Sequence, residues 1–169
     1  MSVAGRIIAL EIRASKFGFA VLEGRDRLLD WGVRTFGEDV ESFESTLSDR
    51  LGTLLTFYDP TVVVIRDREP QSAADGKKIR TIIGAIKQVI KPGSTKLHVF
   101  TTSQIRDRFA LSGNTTKHDI AKSLAERFEE LSFKLPNKRK AYQSEAPVML
   151  VFDALATAVA FSERRATHE

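Results

Sequence analysis

The chain has 169 residues, 42% of them hydrophobic and 28% charged, with 10 Gly, 5 Pro and no Cys. That is the make-up of one globular domain spanning residues 1–169, with a core at about 6–163. It excludes collagen-like or disordered architecture, disulfides, thiolate metal sites and cysteine nucleophiles. The net charge of +4 is unevenly placed: residues 1–59 sum to −3, residues 60–140 to +9 and residues 141–169 to −2, so the positive charge lies mid-chain.

The segment from Arg6 to Glu11 reads as a buried strand through Ile7, Ile8, Ala9 and Leu10, and Phe17 to Leu22 as its hairpin partner. Phe17 and Phe19 are expected on opposite sides of that strand, so that at least one is core. After the turn Glu23-Gly24-Arg25-Asp26, a third strand runs from about Arg27 to Phe36 and completes an antiparallel meander. Val40, Phe43, Leu47, Leu51, Leu54 and Leu55 recur at helical spacing up to Asp59-Pro60, which predicts an amphipathic helix over 40–58. The run Val62-Val63-Val64-Ile65 has the uninterrupted apolar character of a central strand covered on both faces.

Ile79, Ile82, Ile83, Ile86 and Val89 define a helix over 77–90, ended by Pro92-Gly93, and the next strand is Lys96 to Phe100. Thr101 or Thr102 can cap a short helix through Phe109. Thr115 or Thr116 can cap a longer one through Leu131, with Ile120, Leu124 and Phe128 spaced four apart. Residues 136–147 read as a polar, lysine-rich loop before a C-terminal helix over 148–164. The sum is one α/β domain without internal repeats.

Several features exclude function classes. No apolar run reaches the roughly 18 to 20 residues of a membrane span, and residues 1–12 lack the apolar core and cleavage site of a signal peptide. The expected location is therefore cytoplasmic, with no membrane partner. His98, His118 and His168 are too scattered for a zinc cluster, so any metal must be held by carboxylates. Lys77, Lys78 and Arg80 open one helix, and Lys138, Arg139 and Lys140 crowd a loop. These are candidate phosphate contacts, the alternative being an ordinary solvated surface. Lys117, in the first turn of a helix, can bind phosphate together with the exposed amides there. Trp31 and Tyr142 can stack on bases only if exposed.

The stretch from Ile8 to Val21, with Glu11 in the first strand and Gly18-Phe19-Ala20-Val21 in the second, resembles the opening of RuvC-like Holliday-junction endonucleases of the RNase H-like superfamily. Asp153-Ala154-Leu155-Ala156-Thr157-Ala158 is similar to that family's last motif, Gly113-Asn114-Thr115-Thr116-Lys117 to its Gly-containing turn with Lys, and 60–65 to its fourth strand. The resemblance implies an RNase H-like, mixed five-stranded sheet, three strands antiparallel and then two parallel, with helices on both faces. It further implies a homodimer acting on branched DNA in recombination and repair, with an acidic cluster holding two Mg²⁺ (or Mn²⁺) ions. Such a pair, about 4 Å apart, clamps the attacking and leaving oxygens of a phosphodiester, and several carboxylates must offset its charge.

Here the sequence departs from the pattern. Glu11 stands where the family has Asp, Arg66 where the fourth strand ends in Glu, and Leu150 at the position three before Asp153 that usually carries Asp or His. The ligand set carried over is therefore Glu11, Asp67 and Asp153, which serve as both catalytic and metal-binding residues. Asp67 joins it only through a bulge or a one-residue shift, because neighbouring strand residues point to opposite faces. Glu145 is more than two helical turns from Asp153 and is not expected to replace Leu150. Two readings stay open: a metal-dependent endonuclease for branched DNA, and a nucleic-acid-binding module on a degenerate nuclease fold. A structural or partner-binding domain with no affinity for nucleic acid is a third alternative, and a nucleotide-binding actin-like relative shares such a sheet but needs a longer chain and a second phosphate loop.

Overall fold

The first apolar run forms β1 (Arg6–Ile12), and the two-residue period of a strand sends Ile7 and Ala9 to one side and Ile8, Leu10 and Ile12 to the other. Both sides are buried, which fixes β1 as the middle of a sheet. The computed structural model describes residues 5–13, 15–36, 40–70, 72–90 and 93–166. On one flank β1 pairs antiparallel with β2 (Lys16–Glu23), which pairs antiparallel with β3 (Arg27–Thr35). On the other flank lie β4 (Val62–Asp67) and β5 (Lys96–Thr101), both parallel, giving the order β3-β2-β1-β4-β5. The expected mixed sheet is therefore present.

Helices cover both faces. Against Ile8, Leu10, Phe17, Phe19, Val63 and Ile65 pack α1 (Val40–Tyr58) and α2 (Ala73–Val89), through Leu47, Leu51, Ile82 and Ile86. Against Ile7, Ala9, Ala20, Leu22, Val62 and Val64 pack α3 (Thr102–Ala110), α4 (Lys117–Arg127) and α5 (Met149–Ala166). α5 is apolar almost all round, as befits a helix wedged between the sheet and two other helices, and its alanines let it lie close to β1 and β2.

Differences from the sequence reading have local causes. α2 begins at Ala73, because the Ser72 hydroxyl accepts the Asp75 N–H at 3.1 Å and caps the helix four residues early. Thr101 caps α3 in a reciprocal box with Gln104, and Thr116 caps α4. α4 stops at Arg127 instead of running through Leu131: Phe128 turns to φ −111°, ψ 96° and a 3₁₀ turn, Glu129–Lys134, follows. The four-residue spacing of Ile120, Leu124 and Phe128 reported shared burial and not continuous helix. Phe17 and Phe19 share one face, as two residues apart on a strand must, and both are fully buried with ring centroids 6.4 Å apart. Pro92 lies outside the described residues. Among the described residues no helix is long and apolar enough to cross a membrane.

Candidate functional site

The site lies at the carboxyl ends of parallel strands β1 and β4, under the first turns of α5. The alternation that sends Ala9 toward α5 carries Glu11 to the same side, where it is 1% exposed. In β4 the same rule takes Val62, Val64 and then Arg66 toward α5. Asp153 comes down from α5 and is 7% exposed.

These groups form an alternating chain of charge. Arg66 is ion-paired with Glu11 Oε1, and so is Arg13. Arg13 Nη2 also reaches Asp153 Oδ2 at 3.4 Å. Lys117 Nζ, at the start of α4, lies 2.9 Å from the same Asp153 oxygen and 2.7 and 2.8 Å from the two oxygens of Glu145. The series Arg66, Glu11, Arg13, Asp153, Lys117, Glu145 thus alternates three cations with three carboxylates and is formally neutral. Two buried atoms within it have no hydrogen-bond partner, Glu11 Oε2 and Arg66 Nε. Burial pushes the Asp153 carboxyl up to about 6 and the nearby Glu11 carboxylate adds to that, while Lys117 and Arg66 pull the other way.

No family model matches the sequence, and no curated protein does. Among solved structures the chain is similar to Thermus thermophilus RuvC in complex with a Holliday junction substrate, with a TM-score of 0.73 and 15% identity over 95% of this chain and 96% of that one. The fold is that of RuvC. The chain is similar in the same way to the yeast mitochondrial Holliday junction resolvase (TM-score 0.69, 15% identity, 98% of this chain and 81% of that one). A fowlpox virus Holliday junction resolvase also aligns (TM-score 0.58, 16% identity, 94% and 99%). At these identities the likeness speaks for the fold, and the chemistry has to be argued from the residues present.

On this RuvC-like fold, Glu11 and Asp153 meet as the sequence suggested, bridged by Arg13. Asp67 does not join them. The β4–β5 register runs without a bulge from Val62↔Lys96 to Asp67↔Thr101, so strand alternation turns Asp67 to the side opposite Arg66, where it is exposed. The expectation of Asp67 as a third ligand is corrected for that reason. Leu150 is buried against Gly18. Lys117, read as a phosphate contact, is engaged by Glu145 and Asp153. Lys77, Lys78 and Arg80 are exposed on α2, on the other side of the sheet, and Lys138, Arg139 and Lys140 are exposed in the loop before α5. Tyr142 is 80% exposed with the Lys140 ammonium 6.0 Å from its ring centre, whereas Trp31 is partly buried against the α5 side of the core.

Two members of the charge chain escaped the sequence reading. Arg13 follows Glu11 by two residues, and strand periodicity alone places both on one face. Glu145 was discounted on helix spacing, but the loop before α5 folds it back onto Lys117.

The donor set does not fit the two-metal arrangement that the resemblance implies. Two carboxylates meet here with three cations already on them or beside them, and Arg66 occupies the place where a third acid would add negative charge. Among the described residues no group of three His, Asp or Glu is placed to hold a metal ion. The cavity bounded by Arg66, Lys117, Asp153 and Thr102 has a volume of about 40 Å³, room for a water or two and not for a hydrated Mg²⁺ pair.

Proposed function

We propose that this chain is a RuvC-like protein that recognises branched DNA, and that binding of the phosphate backbone is what its resting site is arranged for. The observation that carries this reading is the layering of charge. The carboxylates of Glu11 and Asp153 lie inside, while Arg13 and Lys117, with side chains 25% and 37% exposed, roof them toward solvent. Arg13 also lines a groove of about 560 Å³ together with Lys16, Arg68 and Arg139, balanced in part by Glu69, Asp75 and Glu145. Beyond Arg139 and Glu145 a second groove, about 460 Å³, continues along Lys117, His118 and Lys138. A phosphate backbone following this path meets cations at each step, and each phosphate neutralised releases counterions. The remaining candidates stay in the reading as further phosphate contacts outside these two grooves, Lys77, Lys78 and Arg80 on α2 across the sheet and Lys140 in the loop before α5. A two-fold homodimer, which matches the symmetry of a four-way junction, is part of the reading.

Metal-dependent cleavage is the second reading. It is favoured by the co-location of Glu11 and Asp153 on one buried face and by the buried Glu11 Oε2, an acceptor without a hydrogen-bond partner. One experiment separates the two. A labelled synthetic four-way junction is incubated with the protein in Mg²⁺, in Mn²⁺ and in chelator, beside Asp153→Asn, and binding and nicking are read from the same samples. Salt-sensitive binding in chelator without an Asp153-dependent nick supports recognition. Metal-dependent nicks that vanish in the variant establish the endonuclease, and the absence of any junction binding removes both.

A further inference from the structure

We propose that Arg66 is the built-in counter-ion of a latent divalent-cation position, so that the wild-type site is held together without metal and replacement of this one side chain creates a metal site. The inference goes beyond the DNA reading and does not rest on it.

Two carboxylates at 1% and 7% exposure share Arg13, and Lys117 lies on Asp153, so the buried charge of Glu11 still calls for a counter-charge of its own. Arg66 supplies it from a fixed position. It is anchored on a central strand whose alternation leaves no other direction for the side chain, and that side chain is only 15% exposed. Yet the match between guanidinium and pocket is incomplete. Glu11 Oε2 and Arg66 Nε, one acceptor and one donor, are both buried and both unused. A planar fork fitted to its carboxylate engages both oxygens. A compact, oxygen-seeking cation also uses carboxylate oxygens from several directions and completes its shell with water. Here a 40 Å³ cavity lined by Arg66, Arg106, Lys117 and Asp153 lies on the Arg66 side of that ion pair, and truncating Arg66 enlarges it. Arg66→Glu removes a cation and adds an acid on the face that already carries Glu11 and Asp153, which makes three carboxylates where the native chain has two.

The test uses the purified full-length chain without DNA and Mn²⁺ as the probe, with bound Mn²⁺ read by electron paramagnetic resonance and thermal melting followed with Mn²⁺ or chelator. The wild type is expected to retain no Mn²⁺ at about 1 mM and to melt at the same temperature in both conditions. R66E is expected to bind Mn²⁺ at least about tenfold more tightly than wild type and to melt several degrees higher when saturated, with both effects lost on adding Asp153→Asn. If R66E does not fold, Arg66→Ser, which opens the same position without adding charge, is read by the same two measurements. Wild-type protein that binds Mn²⁺ below about 1 mM and loses it in Glu11→Gln overturns the proposal. So does a folded Arg66 variant with no more affinity than wild type. Because no DNA is present, failure of junction binding is scored separately and leaves this result untouched.

Discussion

Gly18 of β2 and Leu150 at the start of α5 are in contact with no space between them: a methyl group on Gly18 would stand 2.5 Å from Leu150 Cβ and 2.6 Å from its carbonyl. This contact seats the first turn of α5 on the sheet and so sets the height at which Asp153 meets Glu11. Because the obstruction includes backbone, no side-chain rotation relieves it. Gly18→Ala is expected to destabilise the protein by about 2–4 kcal/mol in guanidinium denaturation, an overpacking cost of the usual size or slightly above. An unchanged midpoint would show that α5 slides freely over β2.

Glu11 and Arg66 are coupled through burial. Glu11→Leu strands Arg66 and is expected to cost about 3–5 kcal/mol, whereas Arg66→Met leaves Glu11 with Arg13 and is expected to cost less, about 1–3 kcal/mol. The double variant, which leaves an apolar contact and keeps Arg13 on Asp153, is expected near wild-type stability or above it. A double-mutant cycle by urea denaturation checks this, and additive losses would contradict the coupling.

The Asp153 carboxyl, raised to about 6 from its usual 3.8, binds its proton more tightly in the folded chain than in the unfolded one. A raised folded value means the group's contribution to stability is fully present below pH 4 and is lost as the pH rises through about 6. Asp153→Asn, which never ionises, is therefore expected to exceed wild type by about 1–3 kcal/mol at pH 7.5, with the gap closing by about pH 4. Urea denaturation at both pH values measures it. A variant less stable than wild type at pH 7.5 would mean that Lys117 and Arg13 outweigh burial.

Arg139 borders both grooves and is exposed, and its guanidinium donates to the Gln143 carbonyl at 3.2 Å. Arg139→Ala is expected to lower junction affinity and to reduce the slope of log affinity against log salt by about 1, one phosphate contact fewer. Fluorescence anisotropy over a salt series measures both. A weaker complex with an unchanged slope would remove Arg139 from the phosphate path.

Much of this architecture was legible along the chain because it follows from local period and turn chemistry. The apolar alternation of 6–12, the helical spacing of 40–58 and the unbroken run 62–65 each name their element, and α3 and α4 begin at the Thr101 and Thr116 caps. Glu11 and Asp153 came from the resemblance of the motifs around them, and the fold brings the two to a common side where Arg13 bridges them. What the sequence could not decide was the side on which β4 presents its end. The run Val62 to Ile65 is apolar at every position and carries no phase, so only its pairing with β1 and β5 establishes that Arg66, and not Asp67, faces α5. Nor could spacing foresee that the loop before α5 returns Glu145 to Lys117, because irregular backbone obeys no period. Local periodicity determined which elements exist; long-range packing alone decided that cations, and not a third acid, close around the buried carboxylates.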